Sequence, residues 1–320
     1  ALRRACPAPG SIGQGLARRG DCGIDIGSTN LKVVLIDDEG NMVHASTVPS
    51  PRVHDGIGPV TDAAALVSLL EDMIIEGWRR NGRGEPLRSI TTAGVGEDGL
   101  GLRPDLSPAG PSIPWFDRRA EGELPQLHRL GDVTDRTGIS IAADRTIAKW
   151  AWLRRHRPHE LDGAAYWVAL TDYPAVAWTG CPFMSISLAP RTACFDVLSR
   201  QWVAQLLDAV GAPRLPAMMS AGMPVGAVRR GRLRESGAAS ARTVVAAGGH
   251  RHNIVKTVVY VTDVADKDEV GRARRDFFGG HYPCSTLVAV SALVFPELRV
   301  EIDAWARLDV DIRNAQPLAA

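Results

Sequence analysis

The sequence has little cysteine, almost no net charge and no long apolar run, and each absence excludes a class of protein. Five cysteines are scattered over 320 residues without a CxxC pair. The sequence therefore predicts neither a zinc site nor a disulfide framework, and it favours a reducing cytoplasm. The formal net charge of +1 gives no overall attraction for nucleic acid or an anionic membrane. No apolar run reaches the roughly 18 residues that a membrane helix needs.

Length and composition are those of an ordinary globular protein with room for two domains. The chain is 45% hydrophobic and 23% charged, and a domain usually takes about 100–200 residues. Residues 1–20 contain four Arg and no acid, as a transit peptide does, but their Pro and Gly would break its helix. We interpret this segment as a disordered leader or a read-through of upstream sequence.

The pattern up to residue 250 is typical of an α/β protein. Alternating and apolar segments predict strands at 22–26 and 31–36, a third strand ending at Val48, and a fourth at 88–95. Apolar residues at helical spacing predict a helix over 62–80, capped by Thr61 or Asp62. Further helices are expected at 121–130, 146–155 and 201–210.

The stretch "GIDIGSTNLK" places an acid in a strand and a Gly-containing turn directly after it. Backbone N–H groups and hydroxyls in such a turn suit a phosphate, and the acid suits a magnesium ion held through water. The alternative is a plain β-turn with a capped Asp. The candidate residues for phosphate are Asp25, Gly27, Ser28, Thr29, Asn30 and Lys32, with Asp25 also the candidate for magnesium.

Two further segments carry polar residues suited to a hydroxyl-rich ligand. In "GVGEDGLGL", Glu97 and Asp98 follow a strand that we expect to be buried, although a solvated loop is the commoner setting for such acids. In "IPWFDRRA", Trp115 lies beside Asp117 and Arg118, as in sugar platforms where a ring covers C–H faces. The alternative there is a partly buried Trp with a surface ion pair.

These segments together resemble the FGGY family of carbohydrate kinases, which belongs to the actin-like ATPase (ribonuclease H-like) superfamily. The resemblance covers 21–250 and includes "DIGSTNLK", "WFDRRA", "AKWAWLRRHRP", "TDYPAVAWTG" and "RTACFDVLSRQW". It implies ATP- and magnesium-dependent transfer of phosphate to a sugar or polyol hydroxyl. It also implies that a first domain binds sugar and a second domain binds the nucleotide.

The resemblance places the general base of the reaction where this chain departs from the family. Members commonly read "GGHDH", and that Asp accepts the hydroxyl proton. Here His250, Arg251 and His252 follow the Gly pair, so Arg251 takes the position of the base. A guanidinium does not deprotonate in proteins, and His250 or His252 is the alternative base. We assign no catalytic residue, and we expect the second domain to be missing and the activity impaired or absent.

Residues 251–312 have a different sequence pattern, which predicts the element order β-α-β-β. They resemble the C-terminal half of the RidA family. The matching segments are "VVYVTD", "DFFG" and "VEIDAWA", and the family consists of trimeric enamine/imine deaminases with a chorismate-mutase-like fold. Ser285 stands where active members carry Arg, whereas Glu301 and Asp303 match the acidic end of the motif. We therefore expect this part to be structured but without deaminase activity, followed by a tail at 313–320.

The chain is thus interpreted as a composite of a carbohydrate-kinase first domain and half a Rid-type domain. Such a chain arises from a gene fusion, a degraded gene or a mosaic gene model. We expect a carbohydrate kinase, impaired or inactive, with a sugar or polyol and ATP as partners. The alternatives are a non-catalytic sugar-binding module and a Rid-like subunit that self-associates through its C-terminal sheet.

Overall fold

The computed structural model describes residues 20–37, 41–81, 86–220, 222–245, 254–291, 299–306 and 313. The chain forms two compact units, Ala1–Ala246 and Ala247–Ala320. Three predicted features lie outside the described residues: the leader except Gly20, the tail except Arg313, and Arg251 with its two histidines. No helix of the described part is both long and apolar enough to cross a membrane.

The elements follow in chain order. The described strands of the first unit are β1 (Asp21–Ile26), β2 (Asn30–Ile36), β3 (Met42–Pro49), β4 (Arg52–His54), β5 (Pro59–Thr61), β6 (Leu87–Gly94), β7 (Gly99–Leu102), β8 (Tyr166–Ala169), β9 (Phe183–Ser185), β10 (Phe195–Asp196), β11 (Gln201–Trp202), β12 (Ala217–Met219), β13 (Pro224–Ala227) and β14 (Ala239–Val245). Its described α-helices are α1 (Ala63–Asn81), α2 (Leu124–Leu127), α3 (Thr134–Thr137), α4 (Thr146–His156), α5 (Pro158–Asp162), α6 (Tyr173–Thr179), α7 (Ala204–Ala209) and α8 (Gly231–Glu235).

A six-stranded mixed sheet in the order β13-β14-β6-β1-β2-β3 organises the first unit. The strands β1, β2 and β3 run antiparallel, as the three predicted strands require, whereas β6 and β14 lie parallel to β1. This arrangement confirms the predicted α/β class. The connection from β3 to β6 passes through α1, which is the crossover that a parallel neighbour needs.

Buried and more exposed residues alternate along β1 and along β2, and this alternation decides which face of the sheet is covered. Every second side chain is buried, and these side chains share one core with the apolar stripe of α1. Asp62 caps that helix as predicted, because its Oδ1 accepts the N–H groups of Ala64 and Ala65, each at 3.0 Å. The core residues of this interface are Cys22, Ile24, Ile26, Leu31, Val33, Leu35, Leu66, Leu70 and Ile74.

A second core lies around α4. In this part of the chain, two predicted helices differ from the elements that the structure shows. The expected helix over 201–210 is α7 alone, because Gln201 and Trp202 form β11 and pair with β10. Asp196 closes that hairpin by accepting the N–H groups of Leu198 and Ser199 at 3.1 and 2.9 Å, which local propensity does not reveal. The helix expected at 121–130 is α2 between two 3₁₀ turns, Arg119–Glu123 and His128–Leu130.

The carboxyl ends of the parallel strands meet at one edge of the sheet. Ile26 pairs with Gly94 in register, and Val245 at the end of β14 pairs with Thr92. A Cβ on Gly94 would collide with the Ile26 carbonyl, so the ends of β1 and β6 approach closely. The turn after β1 and the acidic loop after β6 therefore begin side by side, the usual location of ligand sites in α/β sheets.

The second unit has the predicted β-α-β-β order. Its strands are β15 (Ile254–Val261), β16 (Cys284–Ala289) and β17 (Val300–Ala306), with α9 (Lys267–Phe278) as the crossover. The central strand β15 pairs parallel with β16 and antiparallel with β17. A small core of Val259, Val261 and Val270 joins helix and sheet. Gly279 ends α9 in the left-handed conformation, as the Gly stop in the sequence predicts.

Candidate functional site

The turn after β1 has a backbone that requires glycine. The Gly27 N–H donates to the Asn30 carbonyl at 3.1 Å, and a Cβ on Gly27 would lie 2.7 Å from that oxygen. Ser28 is half-buried and Thr29 is exposed, so both hydroxyl positions are at the surface edge of the sheet. A tight, glycine-dependent turn at a strand end is the geometry expected of a phosphate loop.

The loop after β3 holds this turn through three successive carbonyls. The Ser50 hydroxyl donates to the Gly27 carbonyl at 2.7 Å, and the Ser50 N–H donates to the Thr29 carbonyl at 2.9 Å. Between them, Arg52 Nη2 donates to the Ser28 carbonyl at 2.8 Å. Three carbonyls are thus occupied on the loop side, which fixes the orientation of the turn backbone.

Asp25 and Lys32 face each other across the β1–β2 pair. They are register partners, and Lys32 Nζ lies 3.0 Å from Asp25 Oδ2 with both side chains about half exposed. The described residues contain no group of three or more His, Cys, Asp or Glu able to hold a metal ion. A magnesium ion would therefore take most of its ligands from phosphate and water, which fits a single accessible carboxylate.

Asp98 is a buried carboxylate with an open acceptor position. The residue is 2% exposed, and within the described part of the chain its Oδ1 has no hydrogen-bond partner. Burial raises the pKa of Asp98, while the charges of Lys149 and Arg52 and the backbone N–H of Trp115 oppose that rise. A hydroxyl group of a ligand is the kind of donor that this oxygen lacks.

Lys149 lies behind Asp98 in the second core. Its Nζ is 3.7 Å from Asp98 Oδ1 and donates to the carbonyls of Glu97 and Ile113 at 2.8 and 2.9 Å. The side chain is 1% exposed, and burial lowers the pKa of the ammonium against the attraction of Asp98. Lys149 therefore compensates the buried charge of Asp98 and ties the acidic loop to α4.

Arg52 contacts the turn at 27–30 and lines a small cavity together with Asp98. Its guanidinium lies 5.1 Å from the ring centroid of Phe116, and its Nη1 donates to the Thr61 hydroxyl. Burial lowers the pKa of Arg52, and the charge of Asp98 opposes this shift. One small cavity is lined by Gly27, Arg52 and Asp98 together, so the two predicted parts of the site lie next to each other.

Glu97 is adjacent to Asp98 in sequence but has a different environment. Its carboxylate pairs with Arg145 at 3.1 Å and with Arg191 at 3.3 Å, and the side chain is 15% exposed. Two guanidinium groups thus occupy an oxygen of Glu97, in contrast to the open oxygen of Asp98. Of the two acids, Asp98 is the one with vacant capacity to accept a ligand hydrogen bond.

Asp117 belongs to a buried ion network. Arg119 bridges Asp117 at 2.8 Å and Asp55 at 2.6 Å, and Arg157 also reaches Asp55 at 2.8 Å. Burial opposes ionisation of Asp117, but hydrogen bonds from Arg119 outweigh it and hold its pKa below the usual value. Both guanidinium groups stack near Trp152, with centroid distances of 5.0 and 5.3 Å. This network fixes the loop that carries "WFDRRA".

The other two residues predicted from that loop take different positions. Trp115 lies edge-on to Phe116, with 5.7 Å between ring centroids, and its backbone N–H reaches Asp98. Arg118 is 73% exposed and pairs with Glu121 on the surface. The structure thus brings the turn, Asp98 and Trp115 together, and it places Arg118 in a surface pair. Their roles in ligand binding stay predictions.

Sequence analysis missed Arg52 and Lys149. Arg52 stands in "PSPRVHD", a segment without a motif at the start of β4, and no local signal marks it. Lys149 offers one signal: it lies inside the apolar segment "IAKWAWL", and a lysine on the apolar side of a helix needs buried partners. Its partners are distant in sequence, so the pairing with Asp98 was not predictable.

Comparison with known proteins agrees with this fold. The architecture is that of a sugar kinase with the actin-like ATPase fold. A family model described as "FGGY family of carbohydrate kinases, N-terminal domain" matches residues 22–254, and the chain belongs to this family. A second model, "Endoribonuclease L-PSP", matches residues 230–308.

The similar proteins are sugar kinases that are longer than this chain. A xylulose kinase of Lactococcus lactis subsp. lactis is 26% identical over 199 residues, which is 60% of this chain and 39% of that protein. An L-fuculokinase of Salmonella typhi is 22% identical over 237 residues, covering 70% and 49%. The chain therefore spans about half the length, or less, of these curated relatives.

Solved structures show the same fold. The gluconate kinase of Lactobacillus acidophilus has a TM-score of 0.67 at 18% identity, covering 77% of this chain and 52% of the other. The xylulose kinase of Rhodospirillum rubrum has a TM-score of 0.67 at 20% identity, covering 76% and 53%. At these identities the comparison establishes the fold of the first unit.

Proposed function

We propose that the first unit binds a sugar or polyol at Asp98 and the phosphates of ATP at the turn 27–30. It is then the substrate-binding half of an ATP-dependent carbohydrate kinase. The relatives named xylulose kinase and L-fuculokinase support a small, hydroxyl-rich substrate. Gly27, Arg52 and Asp98 line one small cavity, so the positions proposed for the two ligands adjoin each other.

The observation that carries this proposal is the buried Oδ1 of Asp98, which has no hydrogen-bond partner among the described residues and lies 3.7 Å from Lys149 Nζ. An unsatisfied buried acceptor costs about 1–3 kcal/mol, more when it is charged, and a donor from a ligand recovers that cost. Burial raises the pKa of Asp98, and the charges of Lys149 and Arg52 oppose that rise and so favour the carboxylate form that accepts a hydrogen bond. A polyol hydroxyl donates to such an oxygen, whereas an anionic ligand group would meet repulsion there.

Magnesium and ATP are the cofactors implied by the family. In phosphoryl transfer, the substrate oxygen bonds to the γ-phosphorus while the bond to the β–γ bridging oxygen breaks. The turn at 27–30 and Asp25 are the residues of this unit that we assign to phosphate and to the water shell of the ion. Lys32, now paired with Asp25, supplies the positive charge on that side.

We further propose that phosphate transfer is impaired in this chain. The hydroxyl proton must pass to a base, and in the resemblance to the family Arg251 occupies that position. A guanidinium stays protonated and does not accept the proton. Binding of sugar at Asp98 does not depend on this step, so binding and transfer separate experimentally.

The test compares binding and turnover in the full chain. Ligand-observed NMR with a panel of ketoses and polyols, including D-xylulose and xylitol, should give saturable binding at about millimolar affinity, or −4 kcal/mol. Asp98→Asn keeps the shape but removes the charge, and it should weaken binding at least tenfold. Arg136→Gln, which alters a surface pair with Asp196, is the matched control.

Two results would contradict the proposal in separate ways. Absence of saturable binding by every member of the panel, or equal binding in Asp98→Asn, would remove the sugar site. ATP consumption that depends on a sugar would instead refute the impaired transfer while leaving the site intact.

For the second unit we propose a partial Rid-like module that pairs with a second copy and has no deaminase activity. The match over 230–308 supports the resemblance. An apolar groove between α9 and the sheet, lined by Val270, Phe277 and Ile302, supports pairing, since Phe277 and Ile302 are about half exposed. The Ser285 hydroxyl accepts from Thr257 at 3.0 Å and provides no cationic group for a substrate carboxylate.

The charges beside this groove favour a second copy as its occupant. Glu269 and Arg274 both line it, and the Arg274 Nε is buried without a hydrogen-bond partner in the described residues. A two-fold arrangement of antiparallel helices would bring Glu269 of each copy to Arg274 of the other. Mass in solution should show a dimer that Phe277→Glu dissociates. A monomeric wild type would refute pairing, and turnover of a 2-imino acid would refute the absence of deaminase activity.

A further inference from the structure

A cavity of about 10 Å³ is lined by residues of the turn at 27–30, of β4 and of the acidic loop. This volume is about that of one water-sized sphere, the least that a water molecule needs. Asp98 and Thr171 in its wall are each 2% exposed, whereas Gly27 and Ser50 are only partly buried. The cavity therefore lies close to the surface, and it accommodates one oxygen atom of a ligand but not the carbon skeleton of a sugar.

Two residues in the wall of this cavity have a buried polar atom without a hydrogen-bond partner in the described part of the chain. These atoms are Arg52 Nε and Asp98 Oδ1. The other two nitrogens of the Arg52 guanidinium are occupied, because Nη1 donates to the Thr61 hydroxyl and Nη2 donates to the Ser28 carbonyl. One buried donor and one buried acceptor are thus left beside the same cavity.

We propose that the cavity is a binding site for a single hydroxyl-type oxygen, which accepts a hydrogen bond from Arg52 Nε and donates one to Asp98 Oδ1. A hydroxyl group of the proposed sugar or polyol is one source of this oxygen, and a water molecule is the other. For the ligand, the inference rests on the proposed function. It adds Arg52 as a second contact residue and limits the size of the group that enters.

The two unpaired atoms require a group that accepts and donates at once. A hydroxyl group or a water molecule does both with one oxygen. An ammonium group has no acceptor for Arg52 Nε, and a carboxylate has no donor for Asp98 Oδ1. A methoxy group accepts but does not donate, and its carbon exceeds the volume of the cavity. The site therefore selects a neutral hydroxyl.

The consequence for specificity is that one hydroxyl of the ligand should matter more than the others. Replacing it by hydrogen leaves both buried atoms unpaired, and a site built to bond a hydroxyl rejects an analogue that lacks it. Replacing it by fluorine does not restore the donor to Asp98. Hydroxyl groups that stay outside the cavity exchange their partners for water at little cost.

Crystal structures of the full chain with and without xylitol test the site directly. We expect one oxygen within about 2.7–3.2 Å of both Arg52 Nε and Asp98 Oδ1. In crystals without xylitol this oxygen is a water molecule. In crystals with xylitol, a xylitol hydroxyl in its place identifies the ligand as the source, and a water molecule that stays identifies water. A direct contact between Arg52 Nε and Asp98, or no oxygen bonded to both, overturns the inference.

Ligand-observed NMR gives the second readout, with xylitol and its monodeoxy and monofluoro analogues. With the ligand as the source, one deoxy analogue and its fluoro counterpart should bind at least about tenfold more weakly than xylitol. This penalty should persist in the surface control Arg136→Gln and shrink in Arg52→Lys, which keeps the charge but has no Nε donor. A penalty of equal size in wild type and Arg52→Lys overturns the role of Arg52.

Failure of the proposed function and failure of this inference give different results. If xylitol and the other polyols and ketoses do not bind, the sugar site is refuted, and the oxygen in crystals without ligand still decides the site in the cavity. Equal affinity for all analogues, together with an oxygen bonded to both atoms, identifies water as the occupant. The wild-type crystals decide the inference even if Arg52→Lys does not fold.

Discussion

Removing the ammonium of Lys149 should destabilise the first unit strongly. Lys149→Met keeps most of the apolar stem in the core around α4, but it leaves the buried carboxylate of Asp98 without its nearest cation. It also removes the donor to the carbonyls of Glu97 and Ile113. Breaking a buried pair by deleting one partner costs about 3–5 kcal/mol, a large part of a typical unfolding free energy of about 5–15 kcal/mol.

The unfolding free energy lost in Lys149→Met should depend on pH. Burial already raises the pKa of Asp98, so its ionisation disfavours the folded state and stability falls as pH rises through the folded pKa. Without Lys149 that pKa should rise further. The penalty of Lys149→Met should therefore be smaller near pH 5, where Asp98 is more easily protonated, than near pH 8.

The assay is urea unfolding followed by tryptophan fluorescence, which reports mainly on the first unit because every tryptophan except Trp305 lies in it. The double variant Lys149→Met with Asp98→Asn removes both charges and should recover about 1–3 kcal/mol of the loss by a double-mutant cycle. The reasoning is wrong if Lys149→Met costs under about 1 kcal/mol. It is also wrong if Asp98→Asn recovers nothing, or if the penalty does not change with pH.

Three other outcomes follow from single contacts. Gly27→Ala places a Cβ 2.7 Å from the Asn30 carbonyl, so it should abolish pyrophosphate binding while D-xylulose binding persists, as calorimetry would show. Burial raises the pKa of Asp172 from 3.8 to about 6 against hydrogen bonds from Ser185. Ionisation of this group should therefore lower the unfolding free energy by about 2 kcal/mol between pH 4 and 7. Asp172→Asn should flatten that slope, and equal slopes would contradict this. Asp62→Ala should cost about 1 kcal/mol by removing the cap of α1, measured by urea unfolding, and no change would mean that the cap is dispensable.

Local sequence was sufficient for the elements that carry the cleft. Strict alternation in β1 and β2 predicts one buried face, and the apolar stripe with its Asp62 cap predicts α1, because these patterns act within a few residues. The turn at 27–30 could equally be predicted from the sequence, since only glycine allows the backbone at position 27 to approach the Asn30 carbonyl this closely. The second unit was predicted element by element for the same reason.

The tertiary structure decided which polar groups meet. Glu97 and Asp98 are neighbours in sequence, yet arginines from two distant segments occupy one and leave an oxygen of the other open. Lys149 approaches Asp98 from α4, and Arg52, nearly a hundred residues earlier at the start of β4, lines the same small cavity as Asp98. Such contacts follow from the strand order of the sheet, which brings the ends of β1 and β6 together. Local sequence specifies the elements, but the roles of their charged side chains depend on burial and on partners that only the assembled sheet supplies.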